Sequence, residues 1–307
     1  MDKNIPKIAV LLAAYNGVQW LSEQLDSILV QSKVDLTVYI SIDPSTDGTE
    51  DLIAAYAEQH DSVKVLPTAG AFGGAARNFF RLIRDVNTDN YDYIAFADQD
   101  DIWFEDKLHN ASILMRRELV DAYSSDVIAY WQNGRAELIV KSQSQVRWDF
   151  LFEAAGPGCT YVLSKDFAKK FKQVIVDNWQ SAQQIRLHDW FCYAFARSNG
   201  YKWFIDKKPS MYYRQHNKNQ VGVNKGVKAL MERYKFINDG GWFEQIKLIV
   251  TLTGSECDPF VRTWIKLDRH ELIKLSFKAK HCRRRKRDKV LFFLVCWSTA
   301  IARVWTR

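Results

Sequence analysis

The sequence predicts an α/β fold in which an open, mostly parallel sheet is flanked by helices and followed by a helical C-terminal region. Short apolar runs alternate with helical patterns in the first third of the chain, which indicates right-handed βαβ units. Polar turns follow three of these runs, and the pattern becomes helical beyond Lys225. Because ligands of open parallel sheets bind beyond the carboxyl ends of the strands, the three turns predict one binding rim.

The first strand is predicted from the continuous apolar run KIAVLLAA at residues 7–14, which is typical of a strand buried on both faces of a parallel sheet. Apolar residues at helical spacing then predict an amphipathic helix over residues 20–31. β-branched residues indicate the next strands. The further elements predicted in this half are a strand at 36–42, a helix from residue 49, a strand at 63–66, a helix at 75–86 and a strand at 93–97.

The pattern after the fourth strand is more mixed. Strands are predicted at 124–130 and 136–142, and a helix at 165–176. The Gly-Pro-Gly sequence at 156–158 predicts a loop that allows the backbone to approach a ligand closely, and a plain turn explains it equally well. No repeat or low-complexity linker marks a domain boundary in the sequence.

Composition excludes several classes of protein. The chain has 307 residues, of which 47% are apolar, as expected for a folded protein with a sizeable core. The net charge of +7 comes largely from residues 277–287, so a nucleic-acid-binding surface is not expected. Five dispersed cysteines without CxxC spacing argue against a disulfide framework or a zinc site. Without a signal-peptide pattern, or an apolar stretch of the roughly 20 residues that span a bilayer, a cytoplasmic protein is expected.

Asp98, Asp100 and Asp101 place three carboxylates at the end of an apolar strand. Buried like charges are costly unless a cation or hydrogen bonds compensate them. Carboxylates together with a substrate diphosphate suit Mg²⁺ or Mn²⁺, which would neutralise a leaving diphosphate. The alternative is a solvated acidic turn that caps the next helix. The position of the cluster after a buried strand, in line with two other polar turns, favours the metal site.

Four segments occur in an order that resembles one enzyme family. They are AAYNG at 13–17, DPSTDGT at 43–49, GGAARN at 73–78 and ADQDDIW at 97–103. Together they resemble the inverting glycosyltransferases of family 2, which implies the Rossmann-like GT-A fold over about residues 5–225. HDWF at 188–191 and YRQHNKNQVG at 213–222 resemble the bacterial rhamnosyltransferase branch. Many members carry two consecutive aspartates where this chain has Ile42 and Asp43, so only Asp43 carries over.

The resemblance implies how the chain is divided and what it acts on. Residues 1–225 would form the glycosyltransferase domain, with a nucleotide-sugar-binding half at about 1–101 and an acceptor-binding half at 102–225. Residues 226–307 would form a helical region. The implied donor is a nucleoside-diphosphate sugar, with dTDP-rhamnose favoured, and the implied acceptor is a lipid-linked saccharide of a bacterial surface polysaccharide such as O-antigen. The alternatives are a UDP-hexose or UDP-N-acetylhexosamine transferase of the same fold, and a non-catalytic carbohydrate- or membrane-binding module.

The resemblance also assigns roles to individual residues. Asp189 would be the general base, because direct displacement at the anomeric carbon needs a carboxylate to take the proton of the acceptor hydroxyl. Asp100 would hold the metal ion with His216, although a purely structural histidine fits the sequence equally well. The residues assigned to the nucleotide sugar are Ala13, Tyr15, Asp43, Arg77, Asp98 and Gln99. Those assigned to the acceptor or the diphosphate are Asp101, Trp103, His188, Trp190 and Arg214.

The C-terminal segment, about residues 277–307, combines a basic cluster with apolar residues. RRRKR at 283–287 is followed by apolar runs at 290–297 and 301–305, both of which contain tryptophan. This pattern is typical of a helix that lies in an anionic membrane surface. A lipid-linked acceptor would place the protein peripherally on the inner face of the cell membrane. The alternative is a terminal helix docked on the catalytic domain or on the partner subunit of a homo-oligomer.

Overall fold

The structure, a computed structural model, describes residues 5–216, 219 and 240–302. The strands are β1 (Lys7–Ala14), β2 (Asp35–Ile42), β3 (Val63–Val65), β4 (Tyr93–Ala97), β5 (Ile102–Trp103), β6 (Ala122–Ser125), β7 (Val127–Trp131), β8 (Ala136–Ile139), β9 (Val162–Ser164), β10 (Trp203–Asp206) and β11 (Met211–Gln215). The helices are α1 (Val18–Leu29), α2 (Thr49–Gln59), α3 (Ala75–Asp85), α4 (Lys107–Glu118), α5 (Lys165–Asp177), α6 (Trp179–Ala182), α7 (His188–Ser198), α8 (Gly241–Leu252), α9 (Pro259–Arg262), α10 (Arg269–Ser276), α11 (Ala279–Cys282) and α12 (Lys286–Ala302). The helical pattern expected from 226 to 239, and part of the motif at 213–222, lie outside the described residues.

The larger sheet has the strand order β10-β6-β9-β4-β1-β2-β3 within the described part of the chain. β1 pairs in parallel with both β2 and β4, and β9 runs antiparallel to β4 and β6. The predicted α/β architecture with a mostly parallel sheet is therefore confirmed. Because β4, β1 and β2 are parallel neighbours, their carboxyl ends open on the same edge of the sheet. The turns that follow these strands meet there.

Alternate side chains of β1 enter two different cores. Ala9 and Leu11 pack in the cluster that includes α3, α5 and α7, whereas Ile8, Val10 and Leu12 pack against α1 and α4 on the opposite face. All five side chains are buried. Since burying one leucine or isoleucine side chain contributes about 1.5–3 kcal/mol, a strand covered on both faces selects a continuous apolar run.

The single strand predicted at 124–130 is wrong, because the structure divides this segment at Asp126. Residues before Asp126 form β6 in the larger sheet, and those after it form β7 in a second sheet of order β5-β11-β7-β8. The Asp126 carboxylate accepts hydrogen bonds from the backbone N–H groups of Lys141 and Ser142, at 2.6 and 2.8 Å. These bonds replace ladder pairing, so the strand predicted at 136–142 ends at Ile139.

The C-terminal helices share a hydrophobic cluster with α3, α5 and α7. Phe292, Cys296 and Ala300 recur every fourth residue along α12 and are buried. Arg284, only 6% exposed, ion-pairs with the carboxylates of Asp149 and Glu153, and Arg283 lies beside it. Two arginines of the basic cluster at 283–287 therefore face the protein interior. Among residues 5–216 and 240–302, no helix has the length and apolarity needed to cross a bilayer.

Candidate active site

Hydrogen bonds join the turns after β1, β2 and β4 at the rim. The backbone N–H of Tyr15 donates to Oε1 of Gln99 at 2.7 Å, and Nε2 of Gln99 donates to the carbonyl oxygen of Tyr15 at 2.9 Å. The N–H of Gly17 donates to Oγ1 of Thr49 at 2.8 Å. A Cβ atom on Gly17 would lie 2.3 Å from Oε1 of Gln99, so this contact requires glycine. The ring of Tyr15 is 56% exposed and presents an aromatic face at the rim.

Asp43, at the end of β2, holds the loop that precedes α3. Its two carboxylate oxygens accept hydrogen bonds from the backbone N–H groups of residues 72 and 73, at 3.1 and 2.9 Å. Arg77 extends from α3 and donates its Nε to the carbonyl oxygen of Gln183 at 2.8 Å. Ala13 is buried near the end of β1. The residues that the sequence assigned to the nucleoside therefore occupy the β1–β2 side of the rim.

The acidic cluster follows β4 directly. Asp98 is partly exposed, whereas Asp100 and Asp101 are buried. Burial, followed by the charges of Asp100 and Asp189, raises the pKa of Asp98 to about 7. Burial and the charges of Asp100 and Asp98 raise the pKa of Asp101 well above its usual range. Ionised carboxyl groups this close together repel one another. A cation bound among them would offset that repulsion and would be held by their negative charge.

β11 connects the cluster to the second sheet. Nε2 of His216 lies 2.7 Å from Oδ2 of Asp100, and the His216 ring stacks on Trp20 with 3.8 Å between ring centroids. Nε of Arg214 donates to the carbonyl oxygen of Asp100 at 2.8 Å, and the backbone N–H of Arg214 donates to Oδ1 of Asp101 at 3.1 Å. The structure thus brings Arg214 and His216 to Asp100 and Asp101, which lie more than a hundred positions earlier in the sequence.

Asp189 lies in the first turn of α7, where the helix dipole favours a negative charge. The backbone N–H of Trp190 donates to its Oδ1 at 2.6 Å. Burial raises the pKa of Asp189 to about 6, while that hydrogen bond and the ammonium group of Lys141 act in the opposite direction. Because the charge of Asp189 also raises the pKa of Asp98, the two carboxyls are electrostatic neighbours. A carboxyl group with this pKa is ionised at neutral pH and is still basic enough to accept a proton.

Three aromatic side chains assigned to the acceptor or the diphosphate lie in the core beneath the rim. The His188 ring stacks on Phe79 at 3.9 Å between centroids, and burial lowers the pKa of His188 to about 3, so the ring is neutral. Nε1 of Trp190 donates to the carbonyl oxygen of Phe150 at 2.9 Å. Trp103 is buried in β5. All three side chains are buried, with exposed fractions between 3 and 8%.

Lys107 is a residue of the site that sequence reasoning missed. Its side chain is 1% exposed, and Nζ donates to the carbonyl oxygen of Cys159 at 2.6 Å and lies 3.8 Å from the centroid of the Trp103 ring. Burial lowers the pKa of Lys107 to about 8, against the raising effect of Cys159, Asp101 and Asp98. A lysine at the first position of a helix, where negative charge is favoured, is the sequence signal for it.

Two groups of donor atoms at the rim suit a divalent cation. Asp100 and His216 offer a carboxylate oxygen and an imidazole nitrogen that face each other. The side-chain donor atoms of Asp98, Asp101 and Cys159 all lie within 4.8 Å of one another. The described residues therefore include an acidic site able to hold a divalent ion.

The fold is that of an α/β protein whose polar turns meet at the carboxyl ends of parallel strands, which is where open sheets bind their ligands. A family model described as glycosyl transferase family 2 matches residues 9–148. The dTDP-rhamnosyl transferase RfbG of Shigella flexneri is 43% identical over 285 residues, which cover 92% of this chain and 98% of that protein. The chain belongs to glycosyltransferase family 2 and is a glycosyltransferase. The family resemblance of the four motifs is confirmed.

More distant proteins agree with this assignment. The putative teichuronic acid biosynthesis glycosyltransferase TuaG of Bacillus subtilis is 24% identical over 159 residues, which cover 52% of this chain and 62% of that protein. The crystal structure of TarS from S. aureus in complex with UDP-GlcNAc aligns with a TM-score of 0.56 at 14% identity, covering 96% of this chain and 89% of that one. At this identity the likeness supports the GT-A fold.

Proposed function

We propose that the protein transfers L-rhamnose from dTDP-rhamnose to a saccharide acceptor with inversion at the anomeric carbon. The observation that carries this proposal is the position of Asp189, a carboxyl group with a pKa of about 6 that acts electrostatically on the acidic cluster at Asp98. The donor is inferred from the relative that matches nearly its whole length and is named a dTDP-rhamnosyl transferase. Inverting transfer from a β-linked donor would give an α-L-rhamnoside.

In this mechanism Asp189 removes the proton of the acceptor hydroxyl as its oxygen attacks the anomeric carbon. The bond between that carbon and the diphosphate breaks on the opposite face, and the dTDP leaves. The exposed ring of Tyr15 is available to contact the nucleobase of the donor. Asp43 and Arg77 order the loops that flank the nucleoside. Gln99 fixes the Tyr15 turn to the acidic cluster.

The acidic cluster fits a divalent ion, Mg²⁺ or Mn²⁺, because Asp100 offers a carboxylate oxygen directly opposite an imidazole nitrogen of His216. A bound ion would neutralise charge on the leaving diphosphate. Arg214 holds the backbone and the side chains of the cluster in place through its bonds to Asp100 and Asp101. Its guanidinium group also pairs with the carboxylate of Glu23.

A screen of nucleotide sugars tests the nucleobase and the sugar of the donor separately. The purified protein with Mn²⁺ would be incubated with dTDP-rhamnose, UDP-rhamnose, dTDP-glucose and UDP-N-acetylglucosamine, and the release of nucleoside diphosphate would be measured. We expect dTDP-rhamnose to be turned over fastest. Turnover confined to UDP-hexoses or UDP-N-acetylhexosamine would replace the rhamnose assignment with the alternative donor class. No turnover of any donor would favour a non-catalytic carbohydrate-binding module.

We further propose that the acceptor is lipid-linked and that α12 holds the protein peripherally on the inner face of the cell membrane. Val290, Leu291, Leu294 and Ile301 on α12 are each about half exposed, and Phe277 is exposed nearby. Lysine and arginine side chains at 286, 287 and 289 begin the same helix. Apolar side chains next to basic ones suit an anionic lipid surface.

Point substitutions test membrane binding better than truncation, because α12 also buries Phe292 and Cys296 in the core. We expect Leu291→Glu combined with Leu294→Glu to weaken binding to phosphatidylglycerol vesicles by at least about tenfold, since each leucine contributes roughly 1.5–3 kcal/mol when buried. Val176→Glu, on the exposed face of α5, is the matched control. Equal vesicle binding by the double variant and the control would refute the membrane contact.

A further inference from the structure

Two positively charged side chains near Asp189 have no anionic partner. Lys141 lies just after β8, Arg285 lies just before α12, and both are partly buried. Neither side chain makes a salt bridge or a hydrogen bond with any residue that the structure describes. Because lysine and arginine side chains are rarely withdrawn from water without a counter-ion, the two cations indicate a site for an anionic ligand.

The segment 153–158 places Lys141 beside the proposed base. A Cβ atom on Gly156 would lie 3.6 Å from Cβ of Lys141, and a Cβ atom on Gly158 would lie 3.2 Å from Cβ of Asp189. The two glycines are two residues apart, which limits their separation to about 7 Å. Lys141 and Asp189 therefore contact neighbouring parts of one short stretch of backbone. The ammonium group of Lys141 also acts on the pKa of Asp189, as expected for charges that lie close together.

Arg284 joins the C-terminal basic cluster to the same segment. Its backbone N–H donates to Oε1 of Glu153 at 2.7 Å, and its Nη2 donates to the carbonyl oxygen of Ala155 at 3.3 Å. Arg284 is more than nine-tenths buried, yet Nη1 of its guanidinium group has no hydrogen-bond partner among the described residues. Arg285 follows directly in the chain. The segment that contacts Lys141 is therefore bordered by these two arginines as well.

Like charges meet at this place. Burial, followed by the charges of Arg285 and Arg284, lowers the pKa of Lys141 to about 8. The carboxylates of Glu153 and Asp189 act in the opposite direction without forming a salt bridge with Lys141. α12 begins immediately after Arg285, so the positive end of its helix dipole adds to the same field. An anion bound here would offset the repulsion and accept hydrogen bonds from the unpaired donors.

We propose that Lys141 and Arg285, at the start of α12, bind the phosphate groups of an acceptor saccharide that is linked to a lipid through a diphosphate. The inference rests on the proposed function and assigns residues to its acceptor. In inverting transfer the base and the leaving diphosphate lie on opposite sides of the anomeric carbon. An anion held beside Asp189 therefore belongs to the acceptor and not to the donor. Exposed apolar side chains follow on α12 at 290, 291 and 294, where they are available to a lipid chain.

Calorimetric titration of the full-length protein with farnesyl diphosphate tests this site without a sugar donor. EDTA is present, so that no divalent ion holds the diphosphate at the acidic cluster. We expect farnesyl diphosphate to bind more tightly than inorganic pyrophosphate or farnesol, because only farnesyl diphosphate offers both phosphate groups and an apolar chain. Lys141→Met and Arg285→Met should each weaken this binding by roughly tenfold or more, the loss expected for one charge-assisted hydrogen bond. Lys141→Arg keeps the charge and should retain binding, and Lys280→Met, on the exposed surface of α11, is the matched control.

Binding of dTDP in the presence of Mn²⁺ shows whether the two cations serve the donor instead. We expect dTDP to bind equally well to the wild type and to both methionine variants, which circular dichroism verifies to be folded. Farnesyl diphosphate binding that is unchanged in both methionine variants overturns the proposal, and so does a loss of dTDP binding in them. Equal affinity for farnesyl diphosphate and inorganic pyrophosphate would show a site for free phosphate and would also overturn it. Because no sugar is transferred in these measurements, their outcomes are independent of the screen that tests rhamnose transfer.

Discussion

Oδ2 of Asp100 lies 2.7 Å from Nε2 of His216, although 116 positions separate the two residues in the sequence. The His216 ring is held nearly parallel to Trp20, with an angle of 9° between the ring planes. This stacking fixes the direction in which Nε2 points. We propose that the carboxylate and the imidazole act as two ligands of one cation, with Trp20 as the support that orients the imidazole.

His216→Ala should weaken Mn²⁺ binding by roughly 10–100-fold, the loss expected when a metal site gives up an orienting or ligating imidazole. The affinity can be measured by electron paramagnetic resonance titration of the protein without a donor. His270→Ala, on the exposed surface of α10, serves as the control and should bind Mn²⁺ as the wild type does. Unchanged affinity in His216→Ala would mean that its bond to Asp100 is purely structural.

Asp189→Asn should lower kcat by roughly 10²–10⁴-fold while donor KM changes little, because a general base acts in the chemical step. The pH dependence follows from the same group. The pKa of Asp189 is raised to about 6 by burial, and the base acts only when it is ionised. In the wild type, kcat should therefore rise as pH increases through about 6 and level off above neutral pH.

Asp51→Asn, in the exposed first turn of α2, is the matched control for this substitution. This control makes the same aspartate-to-asparagine change in the first turn of a helix, but at a position outside the rim. Wild-type kcat in Asp189→Asn, or a pH profile that is flat between 5 and 8, would remove Asp189 from the role of general base.

Gly158→Ala should impair catalysis by displacing the start of α7. A Cβ atom at this position would lie 2.5 Å from Nε2 of His188 and 3.2 Å from Cβ of Asp189. The His188 ring is stacked on Phe79 and has little room to move, so the helix terminus must shift. Displacement of a catalytic group by about 1 Å can reduce the rate by roughly 100-fold, and we expect a loss of that order in kcat.

Gly156→Ala is the control for Gly158→Ala, since its Cβ atom would meet neighbours no closer than 3.6 Å. The kcat values of the two variants, measured at equal fractions of folded protein, distinguish the effect of Gly158 from that of Gly156. Equal kcat values for the two variants would show that the contact of Gly158 with His188 and Asp189 does not position the base.

The sheet and its rim could be predicted because their signals are local. Residues 7–14 form a continuous apolar run that suits only a strand covered on both faces, and the Tyr15, Asp43 and Asp98 turns follow strands directly. The parallel pairing of β1 with β2 and β4 then places these turns on one edge. Few other arrangements are compatible with such a chain, so the sequence was enough to predict that these turns meet at one edge of the sheet.

Residues that depend on distant pairing could not be predicted in this way. Cys159 reaches the acidic cluster only because β9 is inserted antiparallel between β4 and β6, and three strand residues give little signal. Lys107 stands out only by its place at the start of a helix, and nothing in the sequence shows its buried partners. Similarly, the sequence shows Arg284 as part of a basic cluster, since its carboxylate partners lie some 130 positions earlier.

Arg284→Met should destabilise the whole chain, because Nε of Arg284 lies 3.6 Å from carboxylate oxygens of both Asp149 and Glu153, with Asp149 fully buried. Asp149 keeps its ion pair with Arg197, and Glu153 keeps Arg283 nearby, so the buried carboxylates stay partly compensated. The free energy of unfolding should therefore fall by about 1–3 kcal/mol, the cost of removing one partner of a buried charged group. Arg287→Met is the matched control, since the Arg287 side chain is 76% exposed and its ion pair with Asp288 is open to solvent on the arginine side. This substitution should change stability by less than about 1 kcal/mol. Urea denaturation followed by tryptophan fluorescence measures both values. If the two variants unfold at the same urea concentration, apolar contacts hold the C-terminal helices against the rest of the protein and the buried ion pairs do not.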